Sequence, residues 1–397
     1  MKPRAGEAIM DFELSEEQRM FRDSLRKFLD AEVRPLDDRW GDLEMTAERA
    51  KPLLKMLIPW GYVDSEGIMA GGSEPIIRCV QSEELSATFP GLAGMSGITA
   101  GAASLIAASA HPELARRLVG PLSQGDLIGC IATTEPEAGS DPSGIRSRAE
   151  RIGDHWVING AKTWISNGSV ADIAVVLAQT DPAKGPAGFR HFVIDRRESP
   201  FDSREIQTIG LRSFPTSEMF FNDVEVPETN VLGGWKSETV SPERAFQRTL
   251  ALFSHARAGT GMMAVGIARR AYEIALKYVQ IRKQFGKEII RHQLVAAMVA
   301  EMATEIDAAR LLCHRAYLAL GRGRADVEAS MAKWYATEAA VKVASTAIQC
   351  MGANGLATEN RVERCMRDAR MLTMPDGTTQ IQKLIIGRAL TGRSAIR

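Results

Sequence analysis

The chain has 397 residues, 45% of them apolar, which is more than one ordinary core needs and predicts a globular protein of two or three domains. Lys plus Arg (49) equals Asp plus Glu (49), so no basic excess points to nucleic acid and no acidic tail is present. The five cysteines, Cys79, Cys130, Cys313, Cys350 and Cys365, form no C-x-x-C pair, which argues against a disulfide framework and suits a reducing cytoplasm, or a mitochondrial matrix in a eukaryote.

Met1 to Asp11 lacks an apolar core and reads as neither a signal peptide nor a strong transit peptide. No stretch approaches ~18 uninterrupted apolar residues, so no membrane span is expected. Ser15-Glu16-Glu17-Gln18 is a capping-box pattern, and Met20, Phe21, Leu25, Phe28 and Leu29 follow at helical spacing. This predicts an amphipathic helix that stops at Pro35. Apolar runs to about Leu122, broken at Pro52, Gly71-Gly72, Pro90 and His111-Pro112, predict further helices, so residues 1–126 read as an all-helical domain.

The period then changes. Trp156-Val157-Ile158, Ile173 to Leu177, Phe192-Val193-Ile194 and Met219 to Val226 are short strand-like runs bounded by Gly, Asn, Asp or Pro, and Asn159-Gly160 is a hairpin signal. Residues 127–236 therefore read as a β domain. Ala/Met/Leu-rich runs at 245–281, 287–320 and 325–351 predict that residues 237–397 form an antiparallel helical bundle suited to an oligomer interface.

Near the end, Met374-Pro375-Asp376-Gly377-Thr378-Thr379-Gln380-Ile381-Gln382 places a carboxylate on a Pro-Gly bend ahead of a last apolar helix. The free N–H groups of that helix start favour an anion or an electron-rich ring. On local grounds alone the same residues fit a capped surface helix equally well.

Several separated motifs, in order along nearly the whole chain, resemble the acyl-CoA dehydrogenase family. They are Thr134-Glu135-Pro136-Glu137-Ala138-Gly139-Ser140-Asp141, Asn159-Gly160-Ala161-Lys162-Thr163-Trp164-Ile165-Ser166-Asn167-Gly168, and Gly210-Leu211-Arg212-Ser213 with Asp223-Val224-Glu225-Val226-Pro227. Arg282-Lys283-Gln284-Phe285-Gly286-Lys287 with His292-Gln293, Gln349-Cys350-Met351-Gly352-Ala353-Asn354-Gly355, Arg367-Asp368-Ala369 and Gly377 to Gln382 continue the series. The resemblance implies a helical domain, a middle β-barrel-like domain and a C-terminal antiparallel four-helix bundle. It also implies FAD, a homotetramer, an acyl-CoA substrate and an electron-transfer flavoprotein as electron acceptor.

Carried over residue by residue, it assigns Thr134, Ser140, Trp164, Ser166, Thr378 and Gln380 to the flavin. Arg282, Phe285, Gln293, Gln349 and Gly352 correspond to residues that a neighbouring subunit lends to the diphosphate and adenosine. Ser140, Ser254, Arg257 and Gly377 correspond to acyl-CoA contacts, and Asp376 to the catalytic base. The residue chemistry agrees: hydroxyls and turn N–H groups suit a flavin's polar edge, and an amphipathic indole suits its face.

Four positions depart from the pattern of the family or of some of its members. The base is Asp where most members have Glu, and Ala256 occupies the site before Arg257 at which some relatives place a Glu. Ala353 replaces a usual Gly, which is tolerated if its φ is negative. Ser254 stands where medium-chain relatives have Asp. An aspartate is one methylene short, so a branched or alicyclic acyl group is expected. Leu92-Ala93-Gly94-Met95-Ser96-Gly97-Ile98-Thr99 resembles the acyl-pocket helix; being small and uncharged, it disfavours a dicarboxylic substrate. The expected reaction is α,β-dehydrogenation of the thioester. The alternatives are an oxidase-type relative that uses Asp as base and oxygen as acceptor, and a non-catalytic flavin-holding protein.

Other signals are weaker. Gly259-Thr260-Gly261-Met262-Met263-Ala264 matches a dinucleotide fingerprint but sits in a helical pattern without a preceding strand, so helix packing is expected. The six histidines have no metal-ligand spacing and no G-x-S-x-G is present, so neither a metal site nor a hydrolase is expected.

Overall fold

The computed structural model describes residues 12–62, 74–233, 242–323 and 325–395, without the side chains of 186 and 242–252. Met1 to Asp11, the Gly71-Gly72 break and the 236/237 boundary lie outside the described residues.

The N-terminal region is helical: α1 (Glu16–Phe28), α2 (Arg34–Trp40), α3 (Ala47–Met56), α4 (Pro75–Thr88), α5 (Pro90–Ser109) and α6 (Pro112–Ser123). The capping box forms, with Gln18 N donating to Ser15 Oγ at 3.2 Å and Ser15 N to Gln18 Oε1 at 2.9 Å. Pro35 does not stop the chain's helical course. A π-turn (Leu29–Val33) leads into α2, and Pro35 falls in the first turn of α2, where its missing N–H has no intrahelical partner to lose. Pro52 likewise lies inside α3 instead of ending it, because the carbonyl it leaves unpaired belongs to Glu48, an exposed residue. Pro90 and Pro112 open α5 and α6. By length and composition α5 could cross a bilayer, but 67% of its apolar window is buried inside the protein, as in a core helix.

The middle region holds β1 (Gly129–Ala132), β2 (Arg148–Ile152), β3 (His155–Ser166), β4 (Ile173–Gln179), β5 (Phe189–Asp195), β6 (Asp202–Glu205) and β7 (Thr216–Pro227). They form one curled sheet in the order β1-β4-β2-β3-β7-β6, with β5 also on β4. Asn159-Gly160 is not a hairpin turn. It lies within β3, which runs antiparallel to β7 from His155 opposite Pro227 to Ser166 opposite Thr216 and bulges between Ile158 and Gly160. Asn159 closes that bulge by exchanging two 2.9 Å hydrogen bonds with Asp223, and a Cβ on Gly160 would strike Ser147. The β2–β3 turn uses Gly153, at φ 65°, instead.

The C-terminal region comprises α7 (Pro242–Ile281), a β8–β9 hairpin (Lys283–Gln284 with Lys287–Glu288), α8 (Gln293–Leu320), α9 (Asp326–Met351), α10 (Val362–Leu372) and α11 (Thr379–Thr391). Helix α8 starts six residues later than its apolar run because the hairpin and a 3-10 turn (Ile289–Arg291) intervene. The α7–α9 core is built on small residues, among them Ala258, Ala271, Ala275, Ala336, Ala340 and Ala347. The Gly259 to Ala264 fingerprint belongs to this packing: a Cβ on Gly261 would lie 3.0 Å from Cys313 Sγ.

Buried charges tie the regions together. Asp37 of α2 is fully buried, paired with Arg364 of α10 and with Arg270 of α7 at 2.9 Å. Arg364 also faces Asp368 at 3.4 Å, whose carboxylate accepts the Leu211 N–H at 2.6 Å. Removing one partner leaves buried cations uncompensated, which costs ~3–5 kcal/mol. Asp37→Ala should therefore lower the urea unfolding midpoint by an amount corresponding to about 3 kcal/mol; a wild-type midpoint would show that the network holds nothing together.

Candidate active site

Between α10 and α11 the chain makes a turn in which Asp376 and Gly377 take successive left-handed conformations, φ 56° and 92°. For a non-glycine residue this costs on the order of 1 kcal/mol or more, so the surroundings must impose it. Five hydrogen bonds do so. Arg257 Nε of α7 donates to Asp376 O at 3.2 Å. Gln382 Nε2 donates to Asp376 O and Gly377 O at 2.9 and 2.8 Å. Lys333 Nζ of α9 donates to Thr373 O and Gly377 O at 2.9 and 3.0 Å. A Cβ on Gly377 would lie 2.8 Å from Gln382 Nε2, so only glycine admits this clamp. Thr378 caps α11 through Ile381 N at 3.4 Å, and Thr379 Oγ1 donates to Glu338 Oε1 of α9 at 2.6 Å.

The Asp376 carboxylate leans towards α7, where Thr260 Oγ1 donates to Oδ2 at 2.8 Å. Burial pushes the carboxyl above its ordinary range, and the Thr260 bond with the Lys333 and Arg257 charges only partly reverses that. Lys333 is fully buried, and burial lowers its ammonium to about 8 against the pull of Asp376 and Glu338. Burial also lowers Arg257, offset by Asp376 and by Asp326. Ser254 is buried with its hydroxyl donated to Asp326 Oδ1 at 2.6 Å, which brings a second carboxylate into the neighbourhood of Arg257.

A second group of residues gathers at the end of β3. Glu135 is the anchor of its loop: its carboxylate accepts Arg146 N, Ser147 N and Lys162 Nζ at 2.6, 3.0 and 2.8 Å. Burial alone would raise this carboxyl, but Lys162 and these bonds leave it below the usual range. Burial brings Lys162 itself to about 8. Thr163 N donates to Thr134 O at 3.0 Å, so the Thr134 loop and Trp164 are neighbours. Trp164 stands at φ 60° with 58% of its surface exposed. The hydroxyls of Thr134, Ser140 and Ser166 make no hydrogen bond to a described residue, and Asn167 behind them is locked to Met95 O and Gly129 O at 3.1 and 3.0 Å. An outward-facing indole beside uncommitted hydroxyls on a rigid frame fits a flavin.

The remaining expected cofactor residues lie apart from that group. Arg282, Phe285 and Gln293 are exposed around the β8–β9 hairpin, with Phe285 92% exposed at φ 53° and, among the described residues, in ring contact only with His292. Gln349 and Gly352 are exposed at the end of α9, and Gln380 on α11. The positive φ in the glycine-rich turn belongs to Gly352 (61°), and Ala353 is not among the residues with positive φ. Among the described residues, no hydrogen bond or ring contact links this group to Trp164 or Thr134.

Thr260, Lys333 and Asp326 did not emerge from the sequence as site residues. The signal for Lys333 was its place among Ala329, Ser330, Ala332, Ala336 and Thr337, a face too small and apolar for a solvated lysine. Thr260 was absorbed into the packing pattern around Gly259 and Gly261. Gln382 lay in the family motif without an assigned role.

Comparison with known proteins establishes the family and the fold. Three acyl-CoA dehydrogenase family models match in order: the N-terminal domain over residues 15–126, the middle domain over 130–224 and the C-terminal domain over 245–391. The cyclohex-1-ene-1-carbonyl-CoA dehydrogenase of Geobacter metallireducens is 35% identical over 389 residues, covering 95% of this chain and 98% of that protein. A glutaryl-CoA dehydrogenase solved with glutaryl-CoA superposes with a TM-score of 0.88 at 34% identity, covering 98% of both chains. A glutaryl-CoA dehydrogenase from Mycobacterium smegmatis solved with FADH2 superposes with a TM-score of 0.85 at 28% identity, covering 97% of both. The chain belongs to the acyl-CoA dehydrogenase family and is an FAD-dependent oxidoreductase acting on CoA thioesters.

Proposed function

We propose that Asp376 is the base that removes the α proton of a branched or alicyclic acyl-CoA, giving the α,β-unsaturated thioester. The observation that carries this reading is the way the residue is held: five hydrogen bonds fix its turn, and no described donor reaches Oδ1 of its carboxylate. FAD, held by the flavin contacts named below, would supply the acceptor for the hydride that leaves the β carbon. A raised carboxyl pKa suits a general base, since it improves the carboxylate's proton affinity. The Asp376 N–H makes no hydrogen bond to a described residue, which leaves it available to polarise the thioester carbonyl as one of two oxyanion donors. Gly377, Arg257, Ser254 and Ser140 are the chain's proposed acyl-CoA contacts. Thr134, Ser140, Trp164, Ser166, Thr378 and Gln380 are those to the flavin.

The part-exposed face of α5, Ala93, Gly94, Gly97 and Ile98, carries no charge, and a Cβ on Gly97 would meet nothing within 4 Å. An uncharged, bulky acyl group suits that face better than a dicarboxylic one. We further propose a homotetramer in which Arg282, Phe285, Gln293, Gln349 and Gly352 reach a neighbour's FAD, because all five are exposed and Phe285 presents 92% of its surface to solvent. A cytoplasmic enzyme with domains 1–126, 127–236 and 237–397 and an electron-transfer flavoprotein as acceptor completes the reading.

Asp376→Asn should retain FAD and bind butyryl-CoA or cyclohexanecarbonyl-CoA but lose anaerobic flavin reduction by ~1000-fold; an active variant would refute the base. Asp376→Glu should gain relative activity on butyryl-CoA and lose it on the alicyclic thioester, and an unchanged ranking would remove the steric argument. Lys333→Met strips both carbonyl bonds from the turn, so kcat should fall ~10–100-fold with FAD content unchanged; wild-type kcat would mean the clamp is dispensable. Light scattering that finds a flavin-saturated monomer would refute the tetramer.

A further inference from the structure

Thr260 stands one turn after Arg257 on α7, and its single hydroxyl proton goes to Asp376 Oδ2 at 2.8 Å. Helix threonines commonly donate to the carbonyl one turn back, as Thr304 does to Ala300 O and Thr337 to Lys333 O, both at 2.9 Å. Thr260 instead reaches across to the turn. The cations facing the carboxylate are Arg257 from α7, itself near Asp326, and Lys333 from α9, itself near Glu338. Both direct their hydrogen bonds to backbone carbonyls of the turn and not to the carboxylate. Thr260 is therefore the one described donor to the carboxylate itself.

That matters because the terminal torsion of an aspartate is broad, so a fixed backbone does not fix the carboxylate plane. We infer that Thr260 is a positioning residue that locks Asp376 by Oδ2 and thereby presents Oδ1 alone to the substrate's α carbon. The inference rests on Asp376 being the base. In the step itself the Cα–H bond breaks, the proton bonds to Oδ1, and the electron pair left on Cα forms the new double bond as the Cβ–H bond breaks and its hydride passes to the acceptor that FAD would supply when bound. Oδ2 becomes the carbonyl oxygen of the neutral acid and still accepts from Thr260, so the lock survives proton transfer. A glutamate at 376 would carry its carboxylate about 1.5 Å further out, one C–C bond, and leave Thr260 without this acceptor.

The test compares holoenzymes of wild type, Thr260→Val, Thr260→Ser and Asp376→Asn, with butyryl-CoA and cyclohexanecarbonyl-CoA as probes. A carboxylic C=O infrared band that is absent from Asp376→Asn reports the titration of Asp376 without turnover. Donation to Oδ2 favours the ionised form, so its loss in Thr260→Val should move that titration, and the acid limb of anaerobic flavin reduction, about one pH unit upward. The limiting reduction rate should fall ~10-fold with the acyl-CoA Kd unchanged, and Thr260→Ser should restore all three. In an Asp376→Glu background the Val substitution should leave the limb where it was. An unshifted infrared titration in Thr260→Val, or a Ser variant that fails as Val does, overturns the role of Thr260 alone. Full flavin reduction by Asp376→Asn overturns the base assignment and this role with it.

Discussion

The site depends on a buried ammonium that is hydrogen-bonded to two carbonyls. Lys333 has no exposed surface, and its donors end on Thr373 O and Gly377 O, the two sides of the turn that carries Asp376. Burying such a charge is expensive unless it is paired and hydrogen-bonded, and here the partners are Gly377 O, within the left-handed Asp-Gly pair, and Thr373 O at the end of α10. The strained turn and the buried lysine thus justify each other. Either one alone would relax: the turn to an ordinary helix entry, the lysine to solvent.

The same device recurs where the other half of the site is built. Lys162, also without exposed surface, binds Thr133 O and Glu135, and Glu135 in turn gathers the Arg146 and Ser147 N–H groups. A loop whose hydroxyls are to stay free for a ligand cannot use them for its own cohesion. An internal ion pair supplies the rigidity and leaves Thr134 and Ser140 uncommitted. At larger scale, Asp37 with Arg270 and Arg364 plays this part between the N-terminal helices and the bundle. Polar clamps on an alanine-rich, closely packed frame are the common solution.

Much of this was legible in the sequence, for reasons that differ by region. Helical and strand periods located the three regions, because burial of one face is a local signal along the chain. Prolines and Asn-Gly misled, because their effect depends on what surrounds them. Pro35 and Pro52 fall where a lost backbone bond has little cost, and Asn159-Gly160 is held in mid-strand by Asp223, sixty-four residues away. The site was legible through its motifs as far as Asp376. Thr260 and Lys333 were not, since a threonine among glycines and a lysine in a helix look ordinary until the turn from another part of the chain is laid against them. Ser254 was legible by its motif position, but the hydrogen bond from its hydroxyl to Asp326, seventy-two residues away, was not.

The central claim is that the α proton of the acyl group goes to Asp376. Deuterium entering that position reports it directly: butyryl-CoA is held anaerobically in D2O with the holoenzyme, then recovered and analysed by mass spectrometry. The account predicts deuterium at the α carbon with the wild-type protein and none above background with Asp376→Asn at equal FAD content. Incorporation by the Asn variant at the wild-type rate would contradict it.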